Sequence, residues 1–206
     1  MRHLILILAA AAVIFTGSRA YCLTEILFDF EQDEEGWNIP DWAFEQGNYV
    51  GRTLEVSGDK TWKSKQALKL GCDFPGDIWT AALVEFERDM DLSGYKSITA
   101  HVFLPGSAQG GLYQARIIVT AGPWWFIEMK EAVQLKPGKW VTIKADLNVD
   151  KQSEGIYWKI KNKDASLIDN IRNVRKIAVR IEHNVNPWKA GTAYKGPVYI
   201  DQIVIE

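Results

Sequence analysis

The side chains best suited to chemistry in this chain are carboxylates, guanidiniums and indoles on alternating positions of short apolar segments. In AGPWWFIEMK, strand alternation predicts Trp124, Phe126 and Glu128 on one face and Trp125 on the other. Alternation assigns four more polar side chains to outward-facing positions of other predicted strands: His101, Arg116, Arg180 and Glu182. We therefore predict one outer sheet face on which these ionic groups and neighbouring indoles form a ligand platform.

Two chemistries fit such a platform. Pyranose rings have apolar faces and polar edges, so an exposed indole with charged neighbours is suited to binding sugar. A pair of carboxylates could instead cleave glycosidic bonds, and Glu128 with Glu182 would be that pair. The simpler alternative, which we favour over catalysis, is that each acid is ion-paired with Arg116 or Arg180.

Other familiar chemistries are disfavoured by the motifs that the sequence lacks. It has no Gly-rich phosphate loop, no HExxH, no CxxC and no Gly-x-Ser-x-Gly motif. Beyond the first twenty residues the only histidines are His101 and His183, which makes a His-rich metal site or a Ser-His-Asp triad hard to build. The formal net charge is −2 with interspersed signs, so we expect neither nucleic acid nor an anionic membrane as a partner.

The first twenty residues resemble a secretory signal peptide, with a short basic start, an apolar run and small residues before Tyr21. We therefore expect a secreted or periplasmic protein whose single domain covers residues 21–206. A lipid anchor on Cys22 is the disfavoured alternative, because Tyr21 is too large for the position before a lipidated cysteine. Whether Cys22 and Cys72 form a disulfide is left open, since the sequence does not fix the distance between them.

Short alternating segments separated by Gly and Pro turn signals predict an all-β, antiparallel β-sandwich or jelly roll. The predicted strands cover residues 24–31, 66–72, 80–87, 97–104, 113–120, 124–130, 140–147, 176–183 and 197–205. One short helix is predicted from Asp164 to Val174, with Asp164 as its N-cap.

Five segments in order carry a resemblance to a known family: LFDFEQDEEGW, SKQALKLGCDFPG, DLSGYKSITAHVFLP, LKPGKWVTIKADL and YKGPVYIDQIVIE. Together they resemble the carbohydrate-binding modules with a galactose-binding-like jelly roll, most closely those attached to bacterial mannanases and related plant-polysaccharide hydrolases. The resemblance implies polysaccharide binding without catalysis. Such modules usually accompany a catalytic domain, and we expect that a partner glycoside hydrolase is either absent or a separate polypeptide.

The resemblance further implies a structural calcium ion, Ca²⁺, where the first and last strands meet. The matching positions are Asp29, Glu31 and Asp201. Carboxylate oxygens are the ligands that calcium prefers, and extracellular modules can rely on weak sites, with dissociation constants of roughly 10⁻⁴ to 10⁻³ M. For Asp29 the alternative of an ordinary surface residue stays open.

Nine tryptophans exceed what a core of this size uses. Trp37 and Trp140 match structural positions of the family and are expected in the core. Trp62, in the polar loop GDKTWKSK, is a candidate for stacking on a ligand, and one of Trp124 and Trp125 should pack inward while the other is presented. Four remain open between loop packing and binding: Trp42, Trp79, Trp158 and Trp188.

The function that we predict is non-catalytic binding of β-linked polysaccharide, mannan-like or glucan-like, by an exported, calcium-stabilised, monomeric protein. The predicted ligand-binding set is Trp62, Trp124, Trp125, Arg116, Glu128, Arg180, Glu182 and His101. Two alternatives remain: a jelly-roll glycoside hydrolase or lyase that uses Glu128 and Glu182, and a protein-interaction module of the cell envelope.

Overall fold

The computed structural model describes residues 25–108, 112–162, 164–184 and 193–206. Within these ranges the chain forms two antiparallel sheets that pack as a β-sandwich, with three short helices. The predicted all-β antiparallel sandwich is thereby confirmed. None of the described helices has the length and apolar character needed to cross a membrane.

The described elements are numbered in chain order. The strands are β1 (Ile26–Phe28), β2 (Trp37–Asn38), β3 (Gly51–Ser57), β4 (Ala67–Phe74), β5 (Thr80–Met90), β6 (Ser97–Leu104), β7 (Leu112–Ala121), β8 (Trp125–Met129), β9 (Val133–Gln134), β10 (Lys139–Asp146), β11 (Trp158–Ile160), β12 (Val174–Asn184) and β13 (Tyr194–Ile205). The helices are α1 (Asp41–Glu45), α2 (Glu154–Tyr157) and α3 (Leu167–Asn170).

One sheet has six strands in the spatial order β10, β6, β13, β4, β3, with β1 paired to β13. The other has seven strands in the order β11, β8, β7, β12, β5, β2, with β9 paired to β7. Consecutive strands pair in β3–β4 and β7–β8, but other neighbours are far apart in sequence, as β13 between β4 and β6 shows. Sequence alternation therefore assigns the face of a side chain, but it does not say which sheet carries it.

The core lies between the sheets and follows the predicted alternation. Two alternating sets are fully buried in the shared hydrophobic cluster: Ile98, Ala100, Val102 and Leu104 on β6, and Ile177, Val179 and Ile181 on β12. Fully burying one such large aliphatic side chain contributes roughly 1.5–3 kcal/mol, so this interface is the main source of stability. Trp37 is also buried there, as predicted.

Three local predictions are wrong. Trp140 does not join the core but lies half-buried on the outer face of β10, because Ile143 and Ala145 take the inward positions of that strand. Helix α3 is only four residues long, and its N-cap is Ser166, whose hydroxyl accepts a hydrogen bond from the backbone N–H of Asp169 (3.1 Å), not Asp164.

Some sequence predictions fall outside the described ranges. These are the signal peptide, Cys22 and Trp188. The proposed disulfide therefore stays a prediction, although its other member, Cys72, is buried on β4.

Candidate functional site

The outer face of the seven-stranded sheet carries two arginines directly opposite each other. Arg180 of β12 pairs in register with Arg116 of β7, and both side chains are buried. Like charges placed opposite each other on adjacent strands destabilise a sheet. The arrangement therefore needs acids, and Glu182 and Glu128 supply them from β12 and β8.

Glu182 is the centre of this buried ion-pair network. Its Oε1 accepts a hydrogen bond from Nε of Arg180 (2.8 Å) and lies 3.0 Å from Nε of Arg116. Its Oε2 accepts hydrogen bonds from the side-chain amide of Gln114 (2.6 Å) and from Nη2 of Arg116 (3.2 Å). Both carboxylate oxygens are thus fully engaged, which confirms the ion-paired interpretation of Glu182.

Glu128 closes the network from the neighbouring strand. Its Oε2 accepts a hydrogen bond from Nη2 of Arg180, and its Oε1 lies 3.1 Å from Nζ of Lys159. Burial opposes ionisation of Glu128, but the charge of Arg180 and the bonds from Lys159 and Arg180 outweigh it and hold its pKa below the usual range. Burial likewise opposes the charge of Arg180, but Glu182 and Glu128 raise its pKa. The floor is therefore a set of permanent charges at neutral pH.

Aromatic rings form the walls above this floor. The guanidinium carbon of Arg180 lies 5.7 Å from the ring centroid of Phe126 and 6.0 Å from that of Trp79. Tyr49 packs edge-on against Trp42, with 4.8 Å between ring centroids, and against Trp79 at 6.5 Å. The three rings of Phe126, Trp79 and Trp42 are only half-buried, so each presents part of its surface to the cleft.

Together these side chains line an open cleft with a volume of about 650 Å³. Four amide side chains are part of its lining: Gln46, Asn48, Gln114 and Asn184. Amides donate and accept hydrogen bonds at once, which matches hydroxyl groups. The cleft thus combines half-exposed rings, amides and fixed charges, the composition expected of a site for a polyhydroxylated ligand.

Of the two indoles in the opening motif, Trp125 packs inward as strand alternation predicts, whereas Trp124 does not lie where alternation predicts. Trp124 precedes β8 in a turn, with φ of 68°, so the strand starts one residue later than predicted. It is 55% exposed, contacts Arg175 and Lys176 and does not line the cleft. Trp125 packs against the core, and Phe126 takes the position beside Glu128.

The remaining predicted ligand residues lie on the other side of the sandwich. His101 belongs to β6 in the six-stranded sheet, and Trp62 stacks on it with ring centroids 4.6 Å apart. The prediction of a single face for all the polar groups is therefore correct for Arg116, Glu128, Arg180 and Glu182 and wrong for His101, because β6 pairs with β10 and β13.

The three predicted calcium ligands do not form a ready-made site. Asp201 is fully buried, and its oxygens accept hydrogen bonds from the Trp62 N–H (2.6 Å), the Ser64 hydroxyl (2.5 Å) and the Gln202 N–H. Glu31 accepts a bond from a loop N–H, and Asp29 accepts one from the N–H of Glu31. Within the described ranges no group of three or more His, Cys, Asp and Glu side chains is arranged to hold a metal. Calcium therefore stays a prediction.

Trp79, Trp42 and Tyr49 are among the cleft residues that the sequence did not assign to the binding set. Trp42 lies in α1, Trp79 lies just before β5 and Tyr49 forms an isolated bridge to Ala81. None belongs to an alternating run, so no periodicity indicates its direction. The available signal was the excess of tryptophans, which left Trp42 and Trp79 open between loop packing and binding.

No protein-family model matches the chain, and no curated protein matches it. Solved structures do match. A family 11 carbohydrate-binding module from Clostridium thermocellum, solved in complex with a β-1,3-1,4-mixed-linked tetrasaccharide, has a TM-score of 0.52 at 12% identity, over 88% of this chain and 94% of that one.

Two further structures agree on the fold. An exo-β-agarase matches with a TM-score of 0.56 at 16% identity, over 89% of this chain but only 25% of the agarase. A structure of carbohydrate-binding modules from the β-sandwich superfamily matches at 0.51 and 12%, over 84% of this chain and 58% of that one. The chain therefore has the β-sandwich fold of carbohydrate-binding modules.

Proposed function

We propose that the protein binds polysaccharide without cleaving it, through the cleft on the seven-stranded sheet. The observation that carries the proposal is the union of half-exposed Trp42, Trp79 and Phe126 with a floor of fixed ion pairs in one open groove. The rings suit the apolar faces of pyranoses, and the amides and charges suit their hydroxyls. An open groove admits a polymer chain, whereas a closed cavity would not.

Each contact with the glycan should contribute only a small part of the binding free energy. Each stacked ring contributes about 0.5–1.5 kcal/mol beyond its buried area. An affinity in the micromolar to millimolar range, about −8 to −4 kcal/mol, follows for a few such contacts. Because the Arg180 network is already assembled in the free protein, little ordering of the floor opposes binding.

The ligand that we propose is a β-linked glycan of the mannan or glucan type. The support is the resemblance noted in the sequence together with the fold shared with the module bound to a β-1,3-1,4-mixed-linked tetrasaccharide. Export, a calcium ion and a separate partner hydrolase complete the proposal. A monomer is expected.

Hydrolysis by Glu128 and Glu182 is disfavoured by their electrostatics. A glycosidase needs one carboxylic acid that stays protonated near neutral pH, so its pKa must be raised. The pKa of Glu128 is instead held low, and Glu182 is committed to two guanidiniums and an amide. Glu128 is therefore unsuited to donate a proton, and both carboxylate oxygens of Glu182 are already hydrogen-bonded within the protein.

Affinity electrophoresis tests the proposal. Gels containing mannan, glucomannan, mixed-linkage β-glucan or xylan should retard the wild type without releasing new reducing ends. Trp79→Ala should abolish most of the retardation, and Tyr157→Ala, which removes an exposed ring on α2, should not. New reducing ends that disappear in Glu128→Gln would support the enzyme alternative. No retardation by any glycan would leave the protein-interaction alternative.

Calcium needs its own measurement. If the ion binds where the first and last strands meet, adding millimolar calcium should raise the melting temperature and a chelator should lower it. The acid to test is Glu31, whose removal should cancel the effect. An unchanged melting temperature with and without calcium would remove the ion from the proposal.

A further inference from the structure

The outer face of the six-stranded sheet carries a row of aromatic rings that the cleft does not use. Trp140, Phe103 and Tyr199 lie in register on three adjacent strands, β10, β6 and β13. Phe103 is 5.5 Å from Trp140 and 6.2 Å from Tyr199 between ring centroids. Outer sheet positions are ordinarily polar, so three aromatic residues in one cross-strand row are unusual.

Trp62 extends this row as a flat cover. Its ring lies nearly parallel to that of His101, at an interplanar angle of 15°, and its centroid is 6.0 Å from that of Trp140. His101 points outward from β6 and is bonded through Nδ1 to the hydroxyl of Thr142. One face of the indole is therefore covered by His101. Trp62 is 36% exposed in this position.

The loop that carries Trp62 is held by a buried acid. Asp201, in register with His101 on the neighbouring strand, accepts the backbone N–H of Trp62 and the hydroxyl of Ser64 through the same oxygen, Oδ2. The main-chain clamp fixes the indole without using any of its ring surface. An ordered, solvent-facing indole loses little conformational entropy when a ligand stacks on it.

Two lysines give the surface its charge. Nζ of Lys63 lies 5.8 Å from the ring centroid of Trp62, and Nζ of Lys60 lies 5.7 Å from that of Phe103. Neither ammonium group forms an ion pair with an acid of the described residues, whereas Lys69 on the same face is matched by Glu55 and Asp59. Two cations that are not engaged in ion pairs therefore stand beside the aromatic rings, with Asp59 near Lys60.

Phe103 and Tyr199 are buried, so the accessible rings of this row are those of Trp62 and Trp140. We propose that the surface made by Trp62, Trp140, Lys60 and Lys63 is a second glycan-binding site whose ligand is a polymer of uronic acids. The indole faces match the apolar face of a pyranose ring, and the ammonium groups match the carboxylate at its edge. The site lies on the sheet opposite the cleft and shares no residue with it.

Retardation in gels containing polygalacturonate or alginate tests the second site. The wild type should be retarded, and Trp62→Ala should weaken the apparent affinity by about tenfold, because one stacked ring and its buried area are lost. Trp79→Ala should leave it unchanged. With neutral glucomannan the pattern should reverse, so failure of one site is distinguishable from failure of the other.

Charge variants sharpen the test. Lys60→Gln/Lys63→Gln should weaken binding to polygalacturonate and reduce its dependence on salt, whereas Lys136→Gln/Lys151→Gln makes the same change in net charge at other exposed positions and should have no effect.

The proposal is overturned if no uronate polymer retards the wild type, or if Trp62→Ala is retarded equally. It is also overturned if polyphosphate, which has charge but no sugar ring, competes as well as oligogalacturonate, or if sedimentation shows a dimer that Trp62→Ala dissociates.

Discussion

The two outer faces of this sandwich differ in where their charged side chains lie. On the seven-stranded sheet the charges are buried at the floor of a cleft, where Arg180 and Glu182 neutralise each other and the rings stand around them. On the six-stranded sheet an aromatic row lies on the outer face, Asp201 is the one buried acid among the described residues of that sheet, and Lys60 and Lys63 are exposed beside the rings. In the cleft, buried charged side chains are surrounded by aromatic rings. On the six-stranded sheet, aromatic rings occupy the centre of the face and charged side chains lie beside them.

The difference shows two ways of fixing a binding surface on the same scaffold. In the cleft, side chains fix one another through a network, so removing one member leaves others buried without partners. On the outer face of the six-stranded sheet, Asp201 fixes the loop that carries Trp62 by accepting its backbone N–H. The indole ring itself makes no hydrogen bond to Asp201. Substitutions in the ion-pair network of the cleft should therefore lower the free energy of unfolding strongly. On the outer face of the six-stranded sheet, only the loss of the Asp201 hydrogen bonds should lower it.

Removing Glu182 should give the largest effect. Glu182→Ala leaves Arg116 and Arg180 buried and directly opposed, so the free energy of unfolding should fall by about 3–5 kcal/mol. Chemical denaturation monitored by circular dichroism measures it. Glu55→Ala, which removes an exposed partner of Lys69 on the other sheet, should change stability little. Equal losses in the two variants would show that the faces do not differ in this way.

The hydrogen bonds of Asp201 on the six-stranded sheet should contribute less to the free energy of unfolding than Glu182 does. Asp201→Ala removes the acceptor for the Trp62 N–H and the Ser64 hydroxyl, and we expect a loss of about 1–3 kcal/mol. Amide hydrogen exchange should accelerate at Trp62 while Arg116 and its neighbours on β7 stay protected. Faster exchange throughout both sheets would mean that Asp201 supports the whole fold instead of one loop.

Two carboxylates with opposite pKa shifts sharpen the comparison further. Burial opposes ionisation of Glu128, but its cationic partners lower its pKa below the ordinary 4.5. Burial raises the pKa of Asp201 above the ordinary 3.8, against the bonds from Ser64, Trp62 and Gln202. Glu128 thus contributes stability that is present above pH 4.5 and lost as the pH falls through its lowered pKa. Asp201 contributes stability that is present below pH 3.8 and lost as the pH rises through its raised pKa.

Urea unfolding of the wild type, Glu128→Gln and Asp201→Asn across the acid range measures these contributions. The advantage of the wild type over Glu128→Gln should shrink toward low pH. Its stability relative to Asp201→Asn should move the other way, falling as the pH rises. Parallel slopes for the two variants would contradict the opposite shifts.

Much of the sandwich is predictable because each long strand has one apolar set that must be buried. The alternation of β6, β7 and β12 assigns their outer side chains correctly, including Arg116, Arg180 and Glu182. Alternation says nothing about which strands are neighbours, and for that reason His101 was assigned to the wrong sheet. Sheet order depends on long-range pairing, which no short pattern contains.

The walls of the cleft could not be predicted for a different reason. Trp42 and Trp79 lie in a five-residue helix and in a connection, where neither a period of two nor one of 3.6 applies. Four strands were missed: β2, β9 and β11 have only two or three residues, too few to show alternation. β3 has seven residues and was missed as well, although Leu54 and Val56 alternate on it and pack against the core. Trp140 was assigned to the core from the resemblance alone, and its own strand contradicts that assignment.

The smallest effect should come from Trp124, the residue that the opening motif favoured most. Its positive φ turns it away from the alternation of β8, and it contacts Arg175 and Lys176 outside the cleft. We therefore expect Trp124→Ala to leave retardation by neutral glycans within about twofold of the wild type, less than the loss of one stacked ring. Trp79→Ala, measured in the same gel, should lose most of it. If Trp124→Ala instead weakens binding as much as Trp79→Ala, the glycan must extend along β12 past Lys176, and the cleft would be only one end of a longer site.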